Sequence, residues 1–118
     1  MGTGNINVDN IVKALDAKKA TDIKVLNVSN LTTLTDYFII ATGNSDKQVQ
    51  ALSDFVEETM DKEGKYLINR EGYNTAEWVL LGYDDAIVHI FRGETREFYA
   101  LEHIWKDAPE INIDALLV

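Results

Sequence analysis

The sequence predicts an α/β fold: one domain, with a mixed five-stranded sheet and helices packed on it. Three observations carry that expectation. Segments of helical and strand periodicity follow one another in the order α-β-β-α-β-β-β-α. The run "YFIIAT" is apolar or β-branched on both faces, as a central strand covered from two sides requires. The residues after it, "GNSDKQ", carry a Ser-x-x-Gln capping box that opens an amphipathic helix.

The elements follow in chain order. Val8, Ile11, Val12 and Leu15 recur at i, i+3, i+4 and i+7 and predict a first helix, with Asn5 or Asn7 available as its cap and Lys18 and Lys19 near its C-terminal dipole. In "DIKVLNV", Ile23, Val25 and Asn27 alternate with Lys24, Leu26 and Val28, which predicts a strand buried more on one face. "SNLTTLTD" reads as a polar connector to the central strand, and Gly43 ends that strand. The second helix starts after Ser45 and sets Val49, Leu52, Phe55, Val56 and Met60 on one stripe; Lys62, Gly64 and Lys65 end it. Strands are expected at 66–69, 76–81 and 86–91, with the short "GYDD" turn predicting a hairpin between the last two. A final helix is expected through "ETREFYALEHIW", with Phe98, Leu101, Ile104 and Trp105 as its apolar stripe. The domain is expected to span 1–110, and 111–118 to form a loosely held tail.

A chain of 118 residues with 46% hydrophobic residues can fill one core. Cysteine is absent, which removes disulfides, thiolate metal sites and cysteine nucleophiles and suits a reducing compartment. The longest wholly apolar run covers 37–41, too short to span a bilayer, and the N-terminal residues resemble neither a signal peptide nor a complete myristoylation motif. A cytoplasmic protein with no membrane association is expected. The net charge of −9 is lopsided: residues 1–53 carry five acids and five bases, residues 54–118 fifteen acids and six bases. Such a surface repels nucleic-acid phosphates, so little direct nucleic-acid binding is expected, and it favours a basic protein partner.

The strand-to-helix corner Gly43-Asn44-Ser45 raises the question of phosphate binding, because it looks like the Gly-Ser corner of the nucleotidyltransferase fold. That chemistry needs paired aspartates on a following strand to hold two metal ions. Here the following strand reads "YLINREG", in which Asn69 and Glu71 are a poor substitute for an Asp-x-Asp pair, and Asp84 and Asp85 are adjacent and diverge if extended. A nucleotide-binding or nucleotidyltransferase-like protein using Gly43, Ser45 and Asp85 is the alternative reading. The capping box supplies a sufficient structural reason for the corner, so no catalytic, cofactor or metal residue is expected. His89 and His103 lack a second histidine at ligand spacing. His89 shares a strand face with Ile87 and Phe91, beside Trp78, which gives a half-apolar surface with polar handles suited to protein docking.

"DIKVLNV", "TDYFIIATGNSDKQVQAL", "EGYNTAEWVLL", "AIVHIF" and "ETREFYALEHIWKDAP" occur in that order, and over residues 8–109 the chain resembles the ribosomal silencing factor, or Iojap, family. The resemblance implies a nucleotidyltransferase-like α/β fold without the catalytic acids. It further implies binding to the fourteenth protein of the large ribosomal subunit, on the face that meets the small subunit, and a block of subunit joining when nutrients are scarce. Aromatic and Arg residues often dominate interfaces, so Trp78, Tyr99 and Arg96 are the expected anchors, with His89 beside them. Asp36 and Glu71 match acidic positions of the family motifs "TDY" and "REG" and are the expected charge partners. A homodimer that buries the same sheet face is the competing association. One segment departs from the family pattern: Leu81-Gly82-Tyr83-Asp84-Asp85 stands where Leu-Asp-x-Gly-Asp is usual, which predicts a change of turn type that exploits positive φ at Gly82.

Overall fold

Asn5 stands in extended conformation and its side chain accepts from the backbone N–H of Asn7 and Val8, so the first helix, α1, runs Ile6–Ala17. The structure is a computed structural model that describes residues 3–117, with the side chains of Phe98 and Tyr99 outside the described set. After α1 come β1 (Thr21–Asn27), β2 (Tyr37–Gly43), α2 (Asp46–Lys62), β3 (Asn69–Glu71), β4 (Trp78–Gly82) and β5 (Ala86–Arg92). Two short helices, α3 (Thr95–Tyr99) and α4 (Leu101–Ile104), then β6 (Glu110–Ile111) and a 3-10 turn at Asp114–Leu116 complete the chain.

The strands form one mixed sheet in the order β3-β4-β5-β2-β1-β6. Only β2 and β5 pair in parallel, with Tyr37 opposite Ala86 and Gly43 opposite Arg92. All other neighbours are antiparallel. One face carries Val25, Ile39, Ala41, Val79, Leu81, Val88 and Ile90 and packs on α1 and α2 through Val8, Ile11, Val12, Leu15, Val49, Leu52, Val56 and Met60. The other face carries a smaller cluster of Leu26, Phe38, Ile40 and Phe91, covered by Leu101, Ala108 and Trp105.

The α/β class and the mixed sheet are as expected, but the sheet has six strands rather than five. The extra strand lies in the segment expected to be a loose tail: Ile111 pairs with Val25, and Ile113 and Leu116 are buried in the larger core. Apolar residues at 111, 113 and 116 gain more by covering the edge of β1 and the flank of α1 than by remaining in water. The third strand is short and begins at Asn69, because 66–68 are left exposed or half-buried before the ladder to β4 starts. In β1 both Val25 and Leu26 are buried, so that strand is covered on two faces rather than one.

The expected final helix breaks at Ala100, which adopts left-handed φ 49 and ψ 40 and gives its N–H to the Arg96 carbonyl. The break turns Leu101 inward and leaves Ile104 at 70% exposure, so Ile104 is not part of an apolar stripe. The 83–85 turn uses no left-handed residue either: none of its three residues is among the positive-φ positions, and Gly82 is ordinary strand. At Gly82 the Asn69 side-chain amide of the neighbouring strand lies where a Cβ would stand, so a larger residue there would have to displace that side chain.

Gly72 is constrained twice over. Its φ is +79, and a Cβ would collide with the backbone carbonyl of Trp78. Gly72→Ala must therefore move the start of β4, and we expect a loss of at least about 2 kcal/mol in urea denaturation. A loss within a few tenths would mean that the β3–β4 loop is not held against Trp78.

Candidate docking face

The antiparallel register sets three rows of side chains across the sheet face that α1 and α2 leave free. Trp78 stands opposite Phe91, which stands opposite Thr42. Glu71, Leu80, His89, Ile40 and Lys24 form the second row, and Asn69, Gly82, Ile87, Phe38 and Leu26 the third. Directly opposed residues share a face, so these rows are contiguous in space. The C-terminal helices cover the β1 and β2 end of each row. The β4 and β5 end is open, and Trp78, Leu80 and Ile87 are only half-buried there.

Beneath this window lies an aromatic stack. The Trp78 indole packs on Phe91 at 5.1 Å between ring centres and 28° between planes. Phe38 meets His89 edge to face at 4.9 Å and meets Trp105 likewise at 5.1 Å. The Trp78 indole Nε1–H donates to His89 Nδ1 at 3.0 Å. An indole nitrogen only donates, so the bond requires Nδ1 to be unprotonated and places the proton of the neutral imidazole on Nε2. His89 is 4% exposed and Nε2 is buried without a hydrogen-bond partner. Burial pulls its pKa down to about 4.

The expected site residues divide by position. Trp78, His89 and Glu71 come together: Glu71 is exposed at the margin of the window and, with Gly72, Trp78 and Leu80, lines a cavity of about 260 Å³. Asn69 Nδ2 donates to the Glu71 carboxylate at 3.1 Å. Asp36 is exposed but lies beyond the opposite end of the strands, since neighbouring Tyr37 pairs with Ala86 whereas Trp78 pairs with Phe91. Five residues of strand separate those levels, roughly 17 Å.

Arg96 is 9% exposed and committed inside the molecule. It donates through Nε to Glu102 at 2.6 Å and through Nη1 to the Asp22 carbonyl at 2.5 Å and Thr42 Oγ1 at 2.9 Å. Lys24 reaches the same Glu102 at 3.0 Å. Burial alone would raise the Glu102 carboxyl, but Arg96 and Lys24 outweigh it and hold it below the usual range. Arg96 thus closes the covered end of the face rather than standing on its surface. The Tyr99 side chain lies outside the described residues.

Leu80 and Gly72 were not singled out from sequence. The signal for Leu80 existed: the hairpin turns at Asp84-Asp85 with Tyr83 facing Ala86, which sets residue 80 opposite residue 89, but the register had to be known to count it.

At the Gly43 corner the structural explanation is complete. A Cβ on Gly43 would press on Val49 at 2.9 Å, so the glycine lets α2 pack close. Ser45 Oγ accepts from the Gln48 N–H at 3.1 Å. Gln48 reaches back one residue further than a standard box, to the Asn44 N–H at 2.6 Å. Asp46, in the first turn, carries an ion pair with Arg92, so the protein's own carboxylate occupies the positive end of α2. Among the described residues no three His, Cys, Asp or Glu side chains converge as a metal site, and no helix is long and apolar enough to cross a membrane.

A family model described as "Ribosomal silencing factor during starvation" matches residues 4–117. The chain belongs to this family. The ribosomal silencing factor RsfS of Bacillus subtilis is 41% identical over 101 residues, 86% of each chain. A crystal structure of a protein from Chromobacterium violaceum superposes with a TM-score of 0.84 at 31% identity, covering 92% of this chain and 90% of that one. A mouse relative named mitochondrial assembly of ribosomal large subunit protein 1 is 30% identical over 106 residues, which are 84% of this chain and 45% of the mouse protein. The silencing-factor match includes the C-terminal segment that adds β6, in keeping with its place in the fold.

Two predictions follow from the chemistry of this face in a silencing factor. The unfolded chain protonates His89 near pH 6.5, whereas the folded chain resists until about pH 4. Stability is therefore full above pH 6.5, falls as pH drops from 6.5 toward 4, and levels off for this group below that; between pH 7.5 and 5 the loss should be about 2 kcal/mol. Urea titrations across that range, compared with His89→Phe, measure it, and equal slopes in the two proteins would refute the assignment. Replacing Arg96 by Leu leaves Glu102 to Lys24 alone and removes the donor to the Asp22 carbonyl and Thr42, and should cost about 2 kcal/mol. A melt within a few degrees of wild type would show that the clasp is expendable.

Proposed function

We propose that this protein binds the large ribosomal subunit through its fourteenth protein, on the face that meets the small subunit, and blocks subunit joining by bulk, repressing translation when nutrients are limiting. The observation that carries the reading is the open window of Trp78, Leu80 and Ile87, bordered by Glu71, on a protein of net charge −9. An apolar centre with a charged rim is the anatomy of a docking surface, and an acidic rim suits a basic ribosomal protein. Membership in the silencing-factor family and the printed names of the bacterial and mouse relatives support the same reading.

Trp78 is the central anchor and Glu71 its charge partner. Asp36 serves a separate margin of the contact at the other end of the strands, and Tyr99 belongs to the same proposed surface. His89 and Arg96 contribute from beneath, by holding the face in shape. No chemistry is required. The described residues extend 32 × 32 × 28 Å, thick enough to separate two ribosomal surfaces that otherwise touch. The protein acts in the cytoplasm as a regulator rather than an enzyme, with little direct nucleic-acid contact, and any homodimer through this face competes with docking.

Trp78→Ala should weaken binding to isolated large subunits by at least about tenfold and restore subunit joining in light scattering, because half-buried aromatic anchors dominate such contacts. The same change removes the stack on Phe91, so a moderate fall in melting temperature accompanies it. Binding of the wild type should also weaken as added salt shortens the Debye length from ~10 to ~3 Å. Wild-type protein that pelleted with neither large subunits nor the purified fourteenth protein at low salt would end the proposal. Saturable binding of ATP, GTP or CTP with Mg²⁺ in calorimetry would favour the nucleotide reading at Gly43, Ser45 and Asp85 instead.

A further inference from the structure

The Trp78–His89 hydrogen bond joins the most prominent side chain of the open face to an almost fully buried one, across the β4–β5 pair. Tryptophans at protein contacts commonly give their indole N–H to an acceptor on the partner. Here the donor is already used inside the molecule. We propose that His89 is a positioning residue: by accepting the indole proton it fixes Trp78 as an apolar anchor, whose complementary pocket on the partner is lined by carbon and needs no hydrogen-bond acceptor at the indole nitrogen. The inference rests on the docking function proposed above and names the chemistry of the surface that docks.

Three features of the geometry support it. His89 Nδ1 has one proton-accepting lone pair, and the indole takes it. Leu80 and Phe91 stand opposite His89 and Trp78 across the ladder, so the imidazole is confined by strand neighbours as well as by the Phe38 ring. The buried Nε2 has no partner, so a purely structural optimum at this position would be an aromatic carbon ring. A histidine that costs stability at Nε2 while holding the indole through Nδ1 is accounted for by the orientation it imposes on Trp78. Pre-orienting an anchor removes part of the ordering cost of association.

His89→Phe and His89→Asn separate the two roles. Phenylalanine keeps a ring in the space but offers no acceptor; asparagine can place its Oδ1 near the Nδ1 position but leaves a void. If His89 positions the indole, the Phe variant is at least as stable as wild type near neutral pH, yet binds large subunits about tenfold more weakly, and its Trp78 indole proton exchanges faster in ¹H–¹⁵N spectra. The Asn variant melts lower but keeps the slow indole exchange and binds more tightly than the Phe variant. A merely structural histidine gives the opposite order, with binding following stability. Unchanged indole exchange in His89→Phe overturns the proposal, as does wild-type affinity in that variant. Should the wild type itself not bind large subunits, the docking function falls, and the partner-pocket inference falls with it, whereas the indole exchange of His89→Phe still decides whether His89 positions the ring.

Discussion

Ile39 and Ile40 are adjacent in the central strand and both are wholly buried. Consecutive strand residues point to opposite faces, so this pair obliges the protein to cover its sheet twice. One cover is straightforward: α1 and α2, of 12 and 17 residues, lay continuous apolar stripes along the face that carries Ile39. The other is assembled from the segment after β5, where the helical run breaks at Ala100 and lays no long stripe on the sheet. Among the described residues it includes Leu101, Trp105 and Ala108, which pack with Leu26, Phe38 and Ile40, while Trp78 and Ile87 at the β4 and β5 side are only partly buried. A sheet this broad with so little material on its second face leaves Trp78, Leu80 and Ile87 half-exposed.

The incomplete cover has to be held in place without a large apolar contact, and the charges do that. Arg96 ties α3 to the carbonyl of Asp22 and to Thr42 on the sheet, and Glu102 joins Arg96 to Lys24. Two left-handed non-glycine residues are tied to Arg96: the Asp22 carbonyl accepts from its guanidinium, and the Ala100 N–H donates to its backbone carbonyl. Positive φ at such residues costs roughly 1–2 kcal/mol each, and at Asp22 the buried guanidinium is the group that can offset it. On the opposite edge, β3 is exposed along its whole length and is fastened to α2 by polar contacts: Arg70 to Glu57 at 3.0 Å and Tyr73 to Asp54 at 2.9 Å. Both margins of the free face therefore depend on polar clasps, and its centre on aromatic packing.

That division explains what was legible in the sequence. Elements specified by apolar periodicity were readable almost to the residue: the stripes of α1 and α2, the doubly buried β2, the β4–β5 hairpin and the face shared by Trp78, Ile87, His89 and Phe91. Elements specified by a distant polar partner were not. Nothing local in "ETREFYALEHIW" announces that Arg96 bonds a carbonyl 74 positions away and that the helix must break at Ala100 to deliver Leu101. Arg96 reads as a surface anchor by residue type, and only the tertiary structure shows its guanidinium committed. The C-terminal residues failed for a related reason, because a two-residue strand has no periodicity and Ile111 takes meaning only opposite Val25. Gly82 does not use the positive φ anticipated for it; it is strand backbone with the Asn69 amide beside it.

The site's chemistry follows from the same geometry. A strand-glycine-helix corner is a ready place for an anion, but here the first turn of α2 carries Asp46, and Arg92 at the end of β5 pairs with it. The local charges are balanced by the protein itself, and Gly43 is accounted for by the approach of Val49. Asn69 and Glu71 project from β3 toward the same face, and the amide donates to the carboxylate. Ordering a free side chain at an interface costs about 0.5–1.5 kcal/mol, and the Trp78 ring, stacked on Phe91 and bonded to His89, has largely met that cost during folding. The window that the fold leaves half-covered is thus an apolar one, with Trp78 held by Phe91 and His89 and the Glu71 carboxylate at its margin.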